Sequence, residues 1–149
     1  MRHKYPSFAT KAQMTGMLGT YLAAAELTQK GFVVSITSRN ARGADLLVAD
    51  QAYKRTWSVQ VKTNRKSATF WLLSKDYKDV VSRTHIYLFI NLHGDQRPDY
   101  YVVPSRIVAQ HGTTSPEREG GSIWYSFWRA TAERYRERWS ILGASSEPT

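Results

Sequence analysis

HIYLFINL, residues 85–92, is an unbroken apolar run of strand length. A strand with one wet face alternates apolar and polar side chains, so a continuous run suits a strand covered on both faces. It belongs in the interior of a sheet, and the rest of the chain has to supply a layer for each side. Residues 12–30 offer the first: Met14, Leu18, Tyr21, Leu22 and Ala25 recur at helical spacing, and Gly31 follows as a stop. The other side of this predicted helix carries Gly16, Gly19, Thr20 and Ala23, small residues that let one backbone lie close to another element. Burial on two sides is expected.

Three strands precede the apolar run. FVVSITS (32–38) is rich in β-branched residues and ends in the turn material of 39–43; ADLLVAD (44–50) follows; after QAYKR, TWSVQVKT (56–63) alternates. Residues 73–81 predict a short helix capped by Ser74, with Asp76 in its first turn. Beyond the run, HGDQRPD turns the chain, YYVVP forms a strand, and Pro104 and Ser105 start another short helix. Residues 111–122 are loop-like. Trp124, Trp128, Tyr135 and Trp139 fall near one helical face, predicting a docked C-terminal helix over 123–140 before a disordered tail. At 149 residues, 42% of them hydrophobic, one α/β (α+β) domain with one core is expected.

The chain has no Cys, so disulfide frameworks and thiolate metal sites are excluded and a reducing, cytoplasmic setting fits. No uncharged run is long enough to span a bilayer, which predicts a soluble protein. A net charge of +9 and a pI near 9.9 favour a polyanionic partner, nucleic acid first, and a nucleoid association if that nucleic acid is DNA.

Position sharpens this. Gln60 and Lys62 lie two apart on one strand face, and an antiparallel neighbour can set Asp45 beside them. Burying an amide, an acid and a lysine without partners costs several kcal/mol, on the order of 2–7 for the amide alone, so they must pair, reach water or hold an ion. The alternative is that Asp45 caps a turn while Gln60 and Lys62 line a solvated face.

The order of a GxxG helix, a strand, GAD-LLV and a strand containing VQVKT resembles the PD-(D/E)XK nuclease superfamily, over roughly residues 12–110. The resemblance implies a restriction-endonuclease-like core in the order αβββαβ, with a central mixed sheet of four or more strands flanked by helices. It implies catalytic roles for Asp45, Gln60 and Lys62, with Asp45, the Gln60 amide oxygen and the Val61 carbonyl around Mg²⁺ or Mn²⁺ and Lys62 acting on the attacking water or the phosphate. It also implies a DNA substrate, RNA being the other nucleic acid to consider, and a kinship with stand-alone Holliday-junction resolvases and small endonucleases that commonly act as homodimers. Two positions depart from the pattern: Gln60 stands where Asp or Glu is usual, and Thr20 where the first helix often offers Glu. Glu26, six residues on, lies about 120° round the helix and is no replacement.

Two basic clusters flank the implied site, Arg39, Asn40 and Arg42 before it and Asn64, Arg65 and Lys66 after it, suited to backbone phosphates. Phe70 and Trp71 are core aromatics or base-stacking groups, and Trp124, Trp128 and Trp139 are packing anchors or a dimer contact. Three functions remain open: a metal-dependent endonuclease, a DNA-binding or assembly module that has lost catalysis, and an interaction protein for an acidic partner.

Overall fold

The computed structural model describes residues 10–38, 43–116 and 120–143. Helix α1 (Lys11–Gln29) leads into β1 (Val33–Ile36), β2 (Leu46–Ala49) and β3 (Thr56–Asn64). After β4 (Phe70–Leu72) come β5 (His85–His93), β6 (Gln96–Pro104), α2 (Ser105–His111), β7 (Thr113–Thr114), β8 (Tyr125–Trp128) and α3 (Arg129–Ala132). Short 3₁₀ segments at Glu133–Tyr135 and Trp139–Leu142 close the described chain.

Five strands form one mixed sheet in the order β1-β2-β3-β5-β6, in which β3 and β5 are parallel and every other pairing is antiparallel. The apolar run is therefore interior, as its composition predicts, and all of β5 is buried except His93. One side of the sheet packs Ile86, Leu88 and Ile90 with Val48, Val59 and the Ala23 and Leu27 of α1. The other packs Tyr87 and Phe89 with Trp71, Tyr77, Tyr101 and Phe127. Trp71 and Phe127 are in register on a second, three-stranded sheet of order β4-β8-β7, which covers this side together with α2.

Thr10 starts α1 with a reciprocal cap, accepting from the Gln13 amide at 3.2 Å while its own amide donates to Gln13 Oε1 at 2.9 Å. The face that turns inward is the small one: Gly19, Ala23 and Leu27 are buried, whereas Met14, Leu18 and Tyr21 are about half exposed. Burial on both sides is not realised. The reason is Thr63 of β3, whose Oγ1 would lie 1.8 Å from a Cβ built on Gly19, so only a glycine lets the helix settle this close.

Two expected helices are absent. Residues 73–81 form successive turns, with the Tyr77 amide donating to the Ser74 carbonyl and the Asp79 amide to that of Asp76. Two Asp in four residues and the β-branched pair Val80–Val81 hold little helix propensity, and the inward pull on Tyr77, 1% exposed, fixes the turns instead. Residues 123–140 are a strand, one turn of α-helix and 3₁₀ segments rather than one C-terminal helix. Tyr125 and Phe127 face inward at period two, and the chain then breaks at Glu137 (φ 52°), whose amide donates to the Tyr100 carbonyl at 2.9 Å. The expected disordered tail lies outside the described residues from 144 on. Among the described residues, no helix is long and apolar enough to cross a membrane.

Candidate active site

The two edges of β3 are unequal. On one, β5 runs alongside from Ser58 to Asn64; on the other, β2 pairs only from Thr56 to Val59. Past Val59 that second edge has no strand beside it among the described residues, and Asp45, the residue just before β2, stands there. Its amide donates to the Val59 carbonyl at 2.8 Å, and its carbonyl accepts from the Thr37 amide at 3.0 Å and hydroxyl at 3.2 Å. The backbone is thus held from both sides. Asp45 Oδ2 accepts the Val61 N–H at 2.8 Å and Gln60 Nε2 at 2.9 Å, so a carboxylate continues the ladder that β2 leaves unfinished. Peptide groups two apart on a strand point to the same edge, which brings the Val61 carbonyl out beside the same carboxylate.

Gln60 stands between two clefts. One, of about 260 Å³, lies towards α1 and is lined by Gly16, Thr20, Ile36, Asp45, Gln60 and Val61. The other, of about 300 Å³, holds Gln60, Lys62, Ser74, Asp76 and Tyr87. Asp45 thus meets Gln60 and the Val61 N–H directly, and Lys62 stands beyond Gln60 in the second cleft. Thr20 reaches the first cleft, but its hydroxyl donates to the Gly16 carbonyl within the helix at 3.0 Å. Glu26 is engaged elsewhere, 2.6 Å from Arg97.

The charges here are partly desolvated. Burial pushes the Asp45 carboxyl above its ordinary range, against the opposing pull of the Val61 N–H and the Lys62 ammonium. Burial likewise lowers Lys62, opposed by the charges of Asp45 and Asp76. A carboxylate short of water and facing one lysine still favours further positive charge. The oxygen donors at this corner, carboxylate, carboxamide and peptide carbonyl, are hard and suit Mg²⁺ or Mn²⁺. Among the described residues no three His, Cys, Asp or Glu side chains gather around one point, so a cation here would have few anionic ligands.

Asp76 lines the Lys62 cleft, a position that the sequence does not reveal. The sequence places it in the first turn of a helix; the turns that form there instead set it on the wall of the Lys62 cleft. Its charge also acts on Tyr87, whose hydroxyl is pushed up to about 12, first by burial and then by Asp76. No motif marks Asp76. Tyr87 was legible in principle, since it is the parallel partner of Gln60.

The expected phosphate contacts divide. Arg65 and Lys66 are exposed in the loop after β3. Asn64 is not available: its amide nitrogen donates to the Phe70 carbonyl at 2.8 Å and to Asn91 Oδ1 at 3.0 Å, tying that loop down. Arg39, Asn40 and Arg42 lie outside the described residues.

The backbone is similar to two solved nucleases. Hjc, a Holliday junction resolvase from the archaeal hyperthermophile Archaeoglobus fulgidus, matches with a TM-score of 0.55 and 10% identity over 86% of this chain and 95% of its own. The bacterial homing endonuclease I-Ssp6803I matches with a TM-score of 0.60 and 16% identity over 95% of this chain and 100% of its own. The fold is thus the restriction-endonuclease-like fold that the segment order implied. By sequence, no protein family and no curated protein matches.

Proposed function

We propose that this protein is a metal-dependent DNA endonuclease whose reaction centre is the corner formed by Asp45, Gln60, Val61 and Lys62. The observation that carries this is the Asp45–Gln60 pair at 2.9 Å on the unpaired edge of β3, with Lys62 two residues on, in a chain of nuclease fold. Asp45, the Gln60 amide oxygen and the Val61 carbonyl would hold Mg²⁺ or Mn²⁺, which when bound supplies Lewis acidity at the phosphate and an acidified water. Lys62 opposes the charge that builds on the phosphate oxygens and orients the water by donating to it. Asp76 keeps that ammonium charged and in place. Arg65 and Lys66 neutralise backbone phosphates on either side of the scissile bond, without reading bases. The exposed Met14, Leu18 and Tyr21 of α1 are the apolar surface offered to a second copy, which cutting both strands of a duplex would call for.

The test is nicking of supercoiled plasmid, branched and single-stranded DNA in Mg²⁺ and in Mn²⁺. Cleavage is expected from the wild type and from neither Asp45→Ala nor Lys62→Ala; activity that survives both substitutions removes these residues from the reaction. A second reading, a DNA-binding module without catalysis, is favoured by the bonds that already occupy Asp45 Oδ2 and by the absence, among the described residues, of three or more ligating His, Cys, Asp or Glu side chains around one point. It expects salt-sensitive DNA binding and no cleavage with either metal.

A further inference from the structure

We infer that the outer face of the β4-β8-β7 sheet is a platform for unpaired bases of a DNA strand whose phosphates follow the loop between β3 and β4. This rests on the nuclease reading and names its substrate class, DNA with a single-stranded stretch. Phe70 and Trp128 are cross-strand partners with ring centroids 5.3 Å apart, and Trp124 lies 6.3 Å from Phe70. The inner face of the same sheet accounts for Trp71 and Phe127, at 1% and 0% exposure, whereas Trp124 and Trp128 stand 51% and 43% exposed. The core makes no use of them. Trp128 is nevertheless held, its Nε1 donating to Thr113 Oγ1 at 2.8 Å, so its ring is already ordered before anything docks.

Cations stand on the segments that carry these rings. Arg65 and Lys66 are exposed in the loop that leads into β4, and Arg129, next to Trp128, donates to Ser67 Oγ in that loop at 3.1 Å. Ordered aromatic faces beside basic groups match the two parts of a nucleic-acid strand, flat bases and anionic phosphates, and a duplex keeps its base faces hidden. A second copy docked through this patch would press like charges together, in a chain of net charge +9. The platform also leads to the reaction corner, because the chain leaving β4 at Leu72 lines the Lys62 cleft two residues later at Ser74.

The experiment is binding in EDTA, so that no cleavage is read and failure of the nuclease reading leaves the result interpretable. Fluorescently labelled oligothymidine and a fully abasic strand of the same length are titrated at one salt concentration, and tryptophan emission is followed. The base-bearing strand is expected to bind about tenfold or more tightly than the abasic one and to quench the emission. Trp124→Ala, an exposed position, and Trp128→Phe, which keeps a ring, are each expected to shrink that ratio. Equal affinity of the wild type for both strands overturns the inference, and so does a ratio that both variants retain. A concentration-dependent dimer in the wild type that Trp124→Ala abolishes also overturns it, making the patch an interface between copies.

Discussion

β3 and β5 are parallel neighbours of nine residues each, and they put the same backbone to opposite uses. β5 is buried on both faces, with α1 beneath it and the second sheet above. β3 keeps Trp57, Val59 and Val61 in the α1-side core but turns Ser58, Gln60, Lys62 and Asn64 to the other side. The difference lies in what each strand has for neighbours. β5 is flanked along most of its length by β3 and β6; β3 outruns β2 at Val59, and its free edge is finished by a side chain, Asp45. A scaffold strand and a functional strand can therefore differ by one partner that ends early.

The largest test of this contrast is a pair of substitutions. Phe89 is fully buried, stacked between Tyr87 at 5.5 Å and Phe127 at 4.9 Å, and Phe89→Ala is expected to cost about 3–5 kcal/mol in urea denaturation. Its β3 partner in register is Lys62, whose charge is disfavoured by burial. Lys62→Met is expected to abolish cleavage while lowering stability by no more than about 1 kcal/mol, because relief of the buried ammonium offsets much of the charge lost beside Asp45. A Lys62→Met variant as unstable as Phe89→Ala would make β3 a scaffold strand like its neighbour.

The other face of β3 sharpens the same point through α1. Gly19→Ala drives a methyl into Thr63 and is expected to lower stability by about 1–3 kcal/mol. Gly16→Ala meets nothing within 4 Å and is expected to raise it by up to about 1 kcal/mol through helix propensity. Thermal unfolding of both variants separates close approach from propensity; equal effects would mean that the helix is free to shift away from the sheet.

What could be read from the chain before its structure follows this division between strands. Local pattern exposed β5, the alternation of β3 and the convergence of Asp45, Gln60 and Lys62, because strand periodicity fixes faces and an antiparallel neighbour fixes opposition. The orientation of α1 was not readable, since its large apolar residues suggest the wrong face and the deciding contact, Gly19 on Thr63, spans 44 positions. Residues 125–128 carry an alternation short enough to be absorbed into a helical stripe of Trp and Tyr, and only pairing with β4 makes them a strand. Asp76 escaped for a related reason. Its place on the cleft wall depends on a buried Tyr77 holding turns where a helix was expected.

Asp76 gives the next prediction, an effect on chemistry rather than on folding. It is exposed, so Asp76→Asn is expected to change stability little. If it holds and charges Lys62, cleavage falls about 10–100-fold, the range for supporting partners of a reactive site, and Asp76→Glu recovers part of it. The pH–rate profile distinguishes this from a general defect: without Asp76 the Lys62 ammonium loses one of its two opposing charges, and the alkaline limb moves to lower pH. An Asn variant with wild-type rate and profile would return the site to a single carboxylate.

The smallest effect concerns the polar tie between the two strands. His85, at the start of β5, is 5% exposed, with Nδ1 2.7 Å from Ser58 Oγ on β3 and Nε2 buried without a partner among the described residues. Burial lowers its pKa below the ordinary 6.5, so the folded state keeps a neutral ring where the unfolded chain has already taken up a proton. Below 6.5 the unfolded state thus binds more protons, and the stability that His85 contributes is present above that pH and lost as pH falls through it, at up to about 1.4 kcal/mol per pH unit. Urea midpoints at pH 7.5 and 5.0 are expected to differ more for the wild type than for His85→Gln, in which this titration is gone. If the two proteins lose stability equally, the ring is accommodated charged at the head of β5, and burial there is less complete than along the rest of that strand.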